Sequence, residues 1–396
     1  MKKLLDGICI LEVTTIVMGP LAGQILADLG AEVIKLEPLD GDLARYSGTV
    51  GPSGMGALFA NNNRNKKSIA VDLRKPEGQA VLKRLIKHSD VLLHNMRPKA
   101  ADRLGLSLEA ARTTNDKIIH CAAVGFGSDG PYAGRAAYDD VIQAVSGVAA
   151  LPLEMGREPQ YAPTIMADKV AALHVVYSIL AALMRRERSG EACAVEVPMF
   201  EAITAFLLNE HLDGASFNED ARPGYVRLLN PNRKPYKTAD GWLAVMPYSG
   251  AHWEKTLADI GEEAVMKEAW FATAAGRNAN SETLYGLLVK ALPGRTTAEW
   301  VDTFSRLDIP HAVVNTMQDL MHDEHLQAVD FFRPTDGLEG RLRSVPQPVK
   351  FMDVDETPDG PPPELGVHAD SILADLGYSN EEIAELRKAG VLSRPI

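Results

Sequence analysis

The sequence predicts an α/β fold built on a parallel sheet, and two observations carry that prediction. Strand-like and helix-like patterns alternate through the first 130 residues, and the helical stretches are punctuated by proline at the start or glycine at the end. Repeated strands separated by crossover helices make a parallel sheet with helices on both faces. "GICILEV" reads as a buried strand, "PLAGQILADLG" as a helix opened by Pro20 and closed by Gly30, and "AEVIKLEP" as a second strand. "KSIAVDL", "DVLLHN" and "KIIHCAAVGFG" continue the series, with "PEGQAVLKRLIKHS" as a helix that has Pro76 in its first turn. Ligands of such sheets bind outside the carboxyl ends of the strands, here the loops "TTIVMGP", "EPLDGD", "DLRKP", "HNMRP" and "GFGSDGPYAGR".

Farther along, longer helices are expected over 138–148 and 168–187, then a strand at "CAVEVPM" and a helix from about 200 to 212. Residues 214–235 are polar and rich in Gly, Pro and Asn, which is linker chemistry. A smaller unit follows, opening on the hairpin "KPYKTADGWLAVMP" with its Asp240-Gly241 turn and including a strand candidate at "HAVVNT". The tail "DSILADLGYSNEEIAELRKAGVL" reads as two short helices, the second capped by Ser379 or Asn380.

A length of 396 residues exceeds the size of most single cores, so two domains are expected. A hydrophobic share of 46% with 24% charged residues is that of a globular chain, and a net charge of -12 repels nucleic acid on average. Any anionic ligand must therefore find a local cluster of cations. Cys9, Cys121 and Cys193 lie far apart in apolar runs, with neither metal-ligand nor redox spacing, which fits core residues in a reducing cytoplasm. The start "MKKLLDGICILEV" is interrupted by Asp6 and Glu12, so export is not expected. The longest helical apolar run, 170–184, is shorter than the roughly 20 residues of a membrane span, and none is expected.

The loop after the first strand lacks G-x-G-x-x-G, and the chain has no P-loop, no H-E-x-x-H and no G-x-S-x-G. Dinucleotide, nucleotide-hydrolysis, zinc-protease and serine-triad chemistry lose support together. The strand ends are instead basic: Arg45, Arg74 with Lys75, Arg97 with Lys99 and Arg103, and Arg135. Each alone reads as a solvated surface residue. Their recurrence on one edge of the sheet points to a multiply phosphorylated small ligand, because a guanidinium grips phosphate oxygens with two parallel hydrogen bonds. One carboxylate, Asp168 in "TIMADKVAALHVVYSILAALM", opens a very apolar helical stretch. An aspartate there is ordinarily an N-cap.

These stretches, together with "NRNKKSIAVDLRKP", "DRLGL" and "AAYDDVIQAVSG", resemble the class III coenzyme A transferases, the CaiB/BaiF superfamily that includes formyl-CoA transferase and the carnitine CoA-transferases. The resemblance runs nearly end to end. It implies a Rossmann-like large domain from 1–213 and 340–396, linkers at 214–235 and 331–339, and a smaller α+β domain at 236–330. It also implies a homodimer whose subunits are interlocked, with acyl-CoA and small carboxylic acids as partners, no tightly bound cofactor and no metal. By the same resemblance Asp168 matches the catalytic aspartate. The coenzyme-contacting positions would be Val17 and Met18, Val71, Asp72, Leu73 and Arg74, Asn95, Met96 and Arg97, Arg103, and the segment just after Arg135; Arg45 joins this set as a strand-end cation. The family chemistry would carry the acyl group as an anhydride on Asp168 and then CoA as an aspartyl thioester.

Two departures, Val17 for a glutamine and Pro38 for an arginine, count against oxalate or formate as substrates. The α-methylacyl-CoA racemases share the superfamily but need a histidine where this chain has Tyr138, next to Asp139. A CoA-binding protein without catalysis, with Asp168 as a cap alone, is the third reading. Arg45, Tyr248 or Arg227 are candidates to face an acceptor carboxylate, and "GFGSDG" or the Pro247–Gly250 loop "PYSG" to supply oxyanion donors.

Overall fold

The structure, a computed structural model, describes residues 3–337, 340–355 and 357–393. Its main sheet has six parallel strands in the order β3-β2-β1-β4-β5-β6. They are β1 (Cys9–Val13), β2 (Glu32–Glu37), β3 (Lys67–Ala70), β4 (Val91–His94), β5 (Ile119–Val124) and β6 (Ala194–Pro198). All six are the segments that the apolar pattern predicts. The chain starts in the middle of the sheet, runs outward through β3 and then crosses back to β4. That reversal leaves a switch point between β1 and β4, where loops diverge and open sheets bind ligands.

The central strands are buried along their whole length, as continuous apolar runs require in a sheet covered on both faces. The first crossover helix is Met18–Asp28, beginning two residues ahead of the expected Pro20 start. Its close seat on β1 depends on glycine: a Cβ on Gly23 would lie 1.9 Å from Glu12 Oε2, and one on Gly19 would lie 2.4 Å from Thr14. The helix Met166–Ser189 packs on that first helix and on β5 and β6. It is longer than the apolar run that marks it in the sequence. By length and composition it is apolar enough to cross a bilayer, and half of its most apolar window is buried inside the protein.

Contacts divide the chain into two compact units. One comprises Met1–Ser146, Tyr161–Phe206 and Gln327–Ile396, and the other Gly147–Gln160 and Leu207–Leu326. The segment 147–160 therefore goes with the second unit. In the first unit the C-terminal tail completes the edge beyond β3. Asp72 N–H donates to Val391 O at 2.8 Å, and the helices Ala369–Asp375 and Asn380–Lys388 put Ile372, Leu373 and Ile383 into the core under the sheet. Ser379, not Asn380, caps the last helix in a reciprocal box with Glu382. We expect Ser379→Ala to cost about 1 kcal/mol in urea unfolding, the usual value of such a cap.

The second unit holds a three-stranded antiparallel sheet, β7 (Tyr236–Lys237), β8 (Trp242–Val245) and β9 (His311–Val313), against a core that includes Trp253, Tyr285, Trp300 and Phe304. The expected return linker is partly a hairpin. β10 (Arg333–Gly337) pairs antiparallel with β11 (Gly340–Ser344), a strand hidden in the sequence because "RPTDG" has no alternation and contains a proline. The hairpin's turn, 338–339, lies outside the described residues.

Candidate active site

The loop from β1 into the helix Met18–Asp28 is held in an unusual shape. Ile16 has φ +72°, a left-handed conformation that costs a β-branched residue on the order of 1–2 kcal/mol. Its neighbours compensate. Asp42 accepts the Ile16 N–H at 3.1 and 3.3 Å, and Asn95, just past β4, accepts the Thr15 N–H at 3.1 Å while donating to Thr15 O at 3.0 Å. The switch-point loop is thus clamped from β4 on one side and from the β2 loop on the other.

Asp42 is itself the end of a buried ionic chain. Lys35 Nζ lies 3.0 Å from Asp42 and 3.1 Å from Glu12, and donates to Thr14 O at 2.9 Å; Lys66 Nζ lies 2.7 Å from the other oxygen of Glu12. The four side chains are 0% exposed. Lys66 also donates to Pro20 O at 2.7 Å, in the first turn of the helix. Burial pulls its ammonium down to about 8, against the opposing pull of Glu12. Charges this deep persist only when paired, and here each has an opposite partner.

Asp168 comes to this loop from the helix Met166–Ser189, where it is the third residue rather than the cap. The N-cap position is Ile165, which offers no side-chain acceptor. Asp139 takes the capping role from a separate helix, Asp139–Val145: its Oδ1 accepts the N–H groups of Ala167 at 2.6 Å and Asp168 at 3.2 Å. Gln143 holds Asp139 in place, donating to its Oδ2 at 2.6 Å. The ordinary reading of Asp168 as a cap therefore fails, because another carboxylate satisfies the orphan amides.

Asp168 uses one oxygen. Oδ1 accepts the Met18 N–H at 3.1 Å, and no other residue among those described donates to Oδ2. The partial positive charge of a helix N-terminus would by itself keep this carboxylate ionised. Instead burial, with the charge of Asp139 beside it, pushes its pKa up to about 6, and the hydrogen bond from Met18 offsets only part of that. At neutral pH the group is still mostly ionised, but it is poorly solvated and more basic than an ordinary aspartate.

The remaining sequence candidates separate into three sets. Val17 and Met18 are buried at the clamped loop, and Asn95 and Met96 are half-buried beside it. Val71, Asp72 and Leu73 form a turn tied to the chain's C-terminal end, and Arg74 is exposed but gripped by Asp72 at 2.8 and 3.0 Å. Arg97, Arg103 and Arg135 are exposed, the last stacked on Tyr132. Arg45 is a correction. Its guanidinium is buried, paired through two 2.7 Å bonds to Glu37, bonded to Pro363 O and stacked 3.7 Å over Phe59, so it is not open to a phosphate or a carboxylate. The glutamate that takes it up stands two residues after Lys35 in the same strand.

Sequence spacing shows no metal set, yet the fold gathers ligand atoms of Cys9, Glu32 and His88 within 4.8 Å at the opposite, amino-terminal edge of the sheet. Glu32 is already paired with Lys67 at 2.5 Å, and burial pushes the Cys9 thiol up to about 11. Both features belong to a packed edge rather than to a ligand set.

A family model described as CoA-transferase family III matches residues 5–369. This chain belongs to CoA-transferase family III. The transferase is 30% identical to the succinate–glutarate CoA-transferase of Agrobacterium fabrum over 95% of its own length and 96% of that protein. It is equally 30% identical to the succinyl-CoA–D-citramalate CoA-transferase of Chloroflexus aurantiacus, over 98% of both chains. Among solved structures, a CaiB/BaiF family protein from Brucella suis superposes with a TM-score of 0.81 at 30% identity, covering 95% of this chain and all of that one. As a family III transferase the chain handles CoA thioesters as substrates, which is the multiply phosphorylated class of ligand that the strand-end arginines suggested.

Proposed function

We propose that this transferase moves coenzyme A from an acyl-CoA to a free carboxylic acid through Asp168 as nucleophile. The observation that carries the reading is the half-free, desolvated carboxylate held at the sheet's switch point by the Met18 amide. Oδ2 attacks the thioester carbonyl, the tetrahedral oxyanion collapses, and the C–S bond breaks to release CoA thiolate and leave a mixed anhydride. The thiolate attacks the Asp168 carbonyl and expels the donor as its carboxylate, which leaves an aspartyl-CoA thioester. The acceptor carboxylate attacks that thioester, releasing thiolate and forming a second anhydride. The thiolate then takes the acceptor acyl group and returns the Asp168 carboxylate. Each step exchanges one acyl–oxygen bond and one acyl–sulfur bond, so no redox partner is needed.

A raised pKa suits this role. A carboxylate already stripped of water loses less solvation on attack, and its higher basicity makes it a better nucleophile. The Met18 N–H, at the start of a helix, donates to Oδ1, so it would stabilise the negative charge that develops on that oxygen when the thiolate adds at Cγ. Asp139 is engaged as a helix cap and the residue before it is Tyr138, so a histidine–aspartate acid/base pair for racemisation finds no support at this position.

Arg97, Arg103 and Arg135 are assigned to the phosphates of CoA. Replacing Arg97 and Arg103 together by Gln should raise KM for acyl-CoA by at least about tenfold, since each charged hydrogen bond contributes roughly 1.5–3 kcal/mol, and leave kcat nearly unchanged. A kinetic titration at low and high salt checks this, the difference shrinking as salt screens the phosphates.

An interlocked homodimer is part of the same proposal. Leu173, Tyr177 and Met184 stand 57%, 56% and 56% exposed along the helix Met166–Ser189, an apolar stripe suited to a second copy. The direct test of the function is trapping. Incubation with succinyl-CoA and hydroxylamine should place a hydroxamate on the peptide containing Asp168. Transfer that proceeds with this peptide unmodified would defeat the nucleophile assignment.

A further inference from the structure

Two buried histidines meet behind the loop that leaves β4. His94 closes β4 and His120 lies on the neighbouring β5, 3% and 6% exposed, with ring centroids 5.0 Å apart and Nε2 3.2 Å from Nε2. Burial keeps both neutral. It pulls His94 down to about 3, with His120 adding to the effect, and it lowers His120 against the bond to Leu106 O, with the charge of Arg112 acting in the same direction as burial. No carboxylate among the described residues acts on either ring. A neutral imidazole has one N–H and one lone pair, so each contact of the pair dictates where a proton sits.

The contacts ask for more than two neutral rings can give. The Met96 N–H donates to His94 Nδ1 at 3.3 Å, which requires a lone pair on that nitrogen. His120 Nε2 lies 2.9 Å from Leu106 O, and since a carbonyl can only accept, that nitrogen requires a proton. With both satisfied, the single proton of His94 falls on Nε2 and points at the Nε2–H of His120. One end of the chain must give way. If Met96 is held, His94 Nε2–H donates to His120 Nε2 and Leu106 O goes without a donor; if Leu106 is held, the proton of His94 sits on Nδ1 and the Met96 amide is turned out. Neither end has a substitute among the described residues, where the Met96 amide finds no other acceptor and Leu106 O no other donor. The heavy atoms are thus placed for two arrangements at once, and buried polar conflicts of this kind mark functional places.

We propose that the His94–His120 pair is a positioning element that holds the Met96 amide in the free enzyme and releases it to an oxygen of coenzyme A when the coenzyme binds. That residues 95–97 meet the coenzyme belongs to the proposed transfer, on which this reading rests. In the free enzyme the bond to Met96 wins, because an orphaned buried N–H is tolerated less readily than a carbonyl with an unused lone pair. The coenzyme supplies the missing acceptor, and the shorter bond to Leu106 then forms. One proton crosses from His94 Nε2 to His120 Nε2, His120 gives its Nδ1 proton to water, and His94 Nδ1 takes one from water. Both rings are neutral before and after. His94 Nδ1–H and Met96 N–H then stand as adjacent donors for the same coenzyme oxygen. The two ends of the chain also reach other parts of the site: Met96 sits between Asn95, which clamps Thr15, and Arg97, while Leu106 follows the helix Pro98–Leu104 that carries Arg103.

The test reads the protons directly. Asp168→Asn protein with isotope-labelled histidine ring nitrogens is observed by NMR with and without free CoA, saturation being checked by calorimetry, and the two rings are assigned by the signals lost in His94→Asn and His120→Asn. Without CoA, His94 should carry its proton on Nε2 and His120 on Nδ1; with CoA, both should change nitrogen. Rings that keep the same nitrogens when CoA is bound would overturn the inference, as would a charged ring at neutral pH. Kinetics give a second reading. His94→Asn in the active enzyme retains an acceptor near Nδ1 but cannot reach His120, so Met96 stays held and KM for succinyl-CoA should rise about two- to tenfold, the value of one neutral hydrogen bond, with kcat nearly unchanged. Adding His120→Asn should change KM little further, because the link is already cut. An unchanged KM in His94→Asn, or fully additive losses in the double variant, would also count against the pair, whereas histidines that merely pack would lower the melting temperature without moving protons on CoA binding. Because the NMR arm uses free CoA and protein without the nucleophile, failure of the Asp168 mechanism alone would leave its result intact.

Discussion

Asp168→Asn is expected to lower CoA transfer by roughly 10⁴-fold or more, the scale of losing a covalent nucleophile, while making the folded protein more stable. The two effects share a cause. The carboxyl has a folded pKa of about 6 against an ordinary 3.8, so the folded state holds its proton more tightly than the unfolded chain does. The contribution of this group to stability is fully present below pH 3.8 and is lost as pH rises through about 6. At neutral pH the ionised carboxylate is therefore a cost to the fold, on the order of 1–3 kcal/mol. Asparagine retains an oxygen for the Met18 amide and carries no charge, so it should relieve that cost. Thermal melts of parent and variant should coincide near pH 4 and separate by pH 7, with the variant higher. Buried His94, held neutral with its pKa pulled down to about 3, gives the opposite slope in both proteins and cancels in the difference. An Asn variant that keeps activity within tenfold, or melts that separate in the reverse direction, would rule out the desolvated nucleophile.

The second large effect is expected at Lys35. Replacing it by Met would fill a similar volume but leave Asp42 without a cation and Glu12 with Lys66 alone, two fully buried carboxylates that each lie about 3 Å from the Lys35 ammonium. Breaking a buried pair in this way costs about 3–5 kcal/mol, so urea unfolding should shift by most of a small domain's margin. The damage should also reach the site, since Asp42 is the acceptor that holds the left-handed Ile16 amide. A Lys35→Met protein that melts within about 1 kcal/mol of the parent would show that the ionic chain is not what holds this loop. A milder companion is Asp42→Asn, which preserves an acceptor for Ile16. It should cost less stability than Lys35→Met and more activity per unit of stability lost.

Both predictions turn on residues whose roles differ in how far the sequence exposes them. Asp168 is visible because a single charge in front of a long apolar pattern is conspicuous, and because the flanking stretches resemble a family. What the sequence cannot separate is a capping aspartate from a reactive one. That distinction needs Asp139, which lies 29 positions earlier and takes over the amides that Asp168 would otherwise satisfy. Arg45 shows the reverse error. A cation past a strand end is a sound candidate for phosphate, but the turn that carries Arg45 folds back on Glu37, the last residue of that strand, and strand periodicity does not say whether the two meet. Lys35 in "EVIKLE" and Lys66 before "KSIAV" look like ordinary polar positions. Their burial depends on Glu12 in a third segment.

The sequence by itself determined the six strands, their parallel pairing and the loops that carry the site, because hydrophobic periodicity and Pro/Gly punctuation are local signals and crossover handedness restricts the topology. It also singled out Asp168 as a candidate, through an isolated charge in an apolar setting and the resemblance of the flanking stretches to a family. Only the tertiary structure decided which charges are spent on one another: Arg45 on Glu37, Lys35 on Glu12 and Asp42, and Asp139 on a helix end. Pairing of charges is set by distance and desolvation between segments far apart in the chain, and neither quantity is encoded in any local pattern.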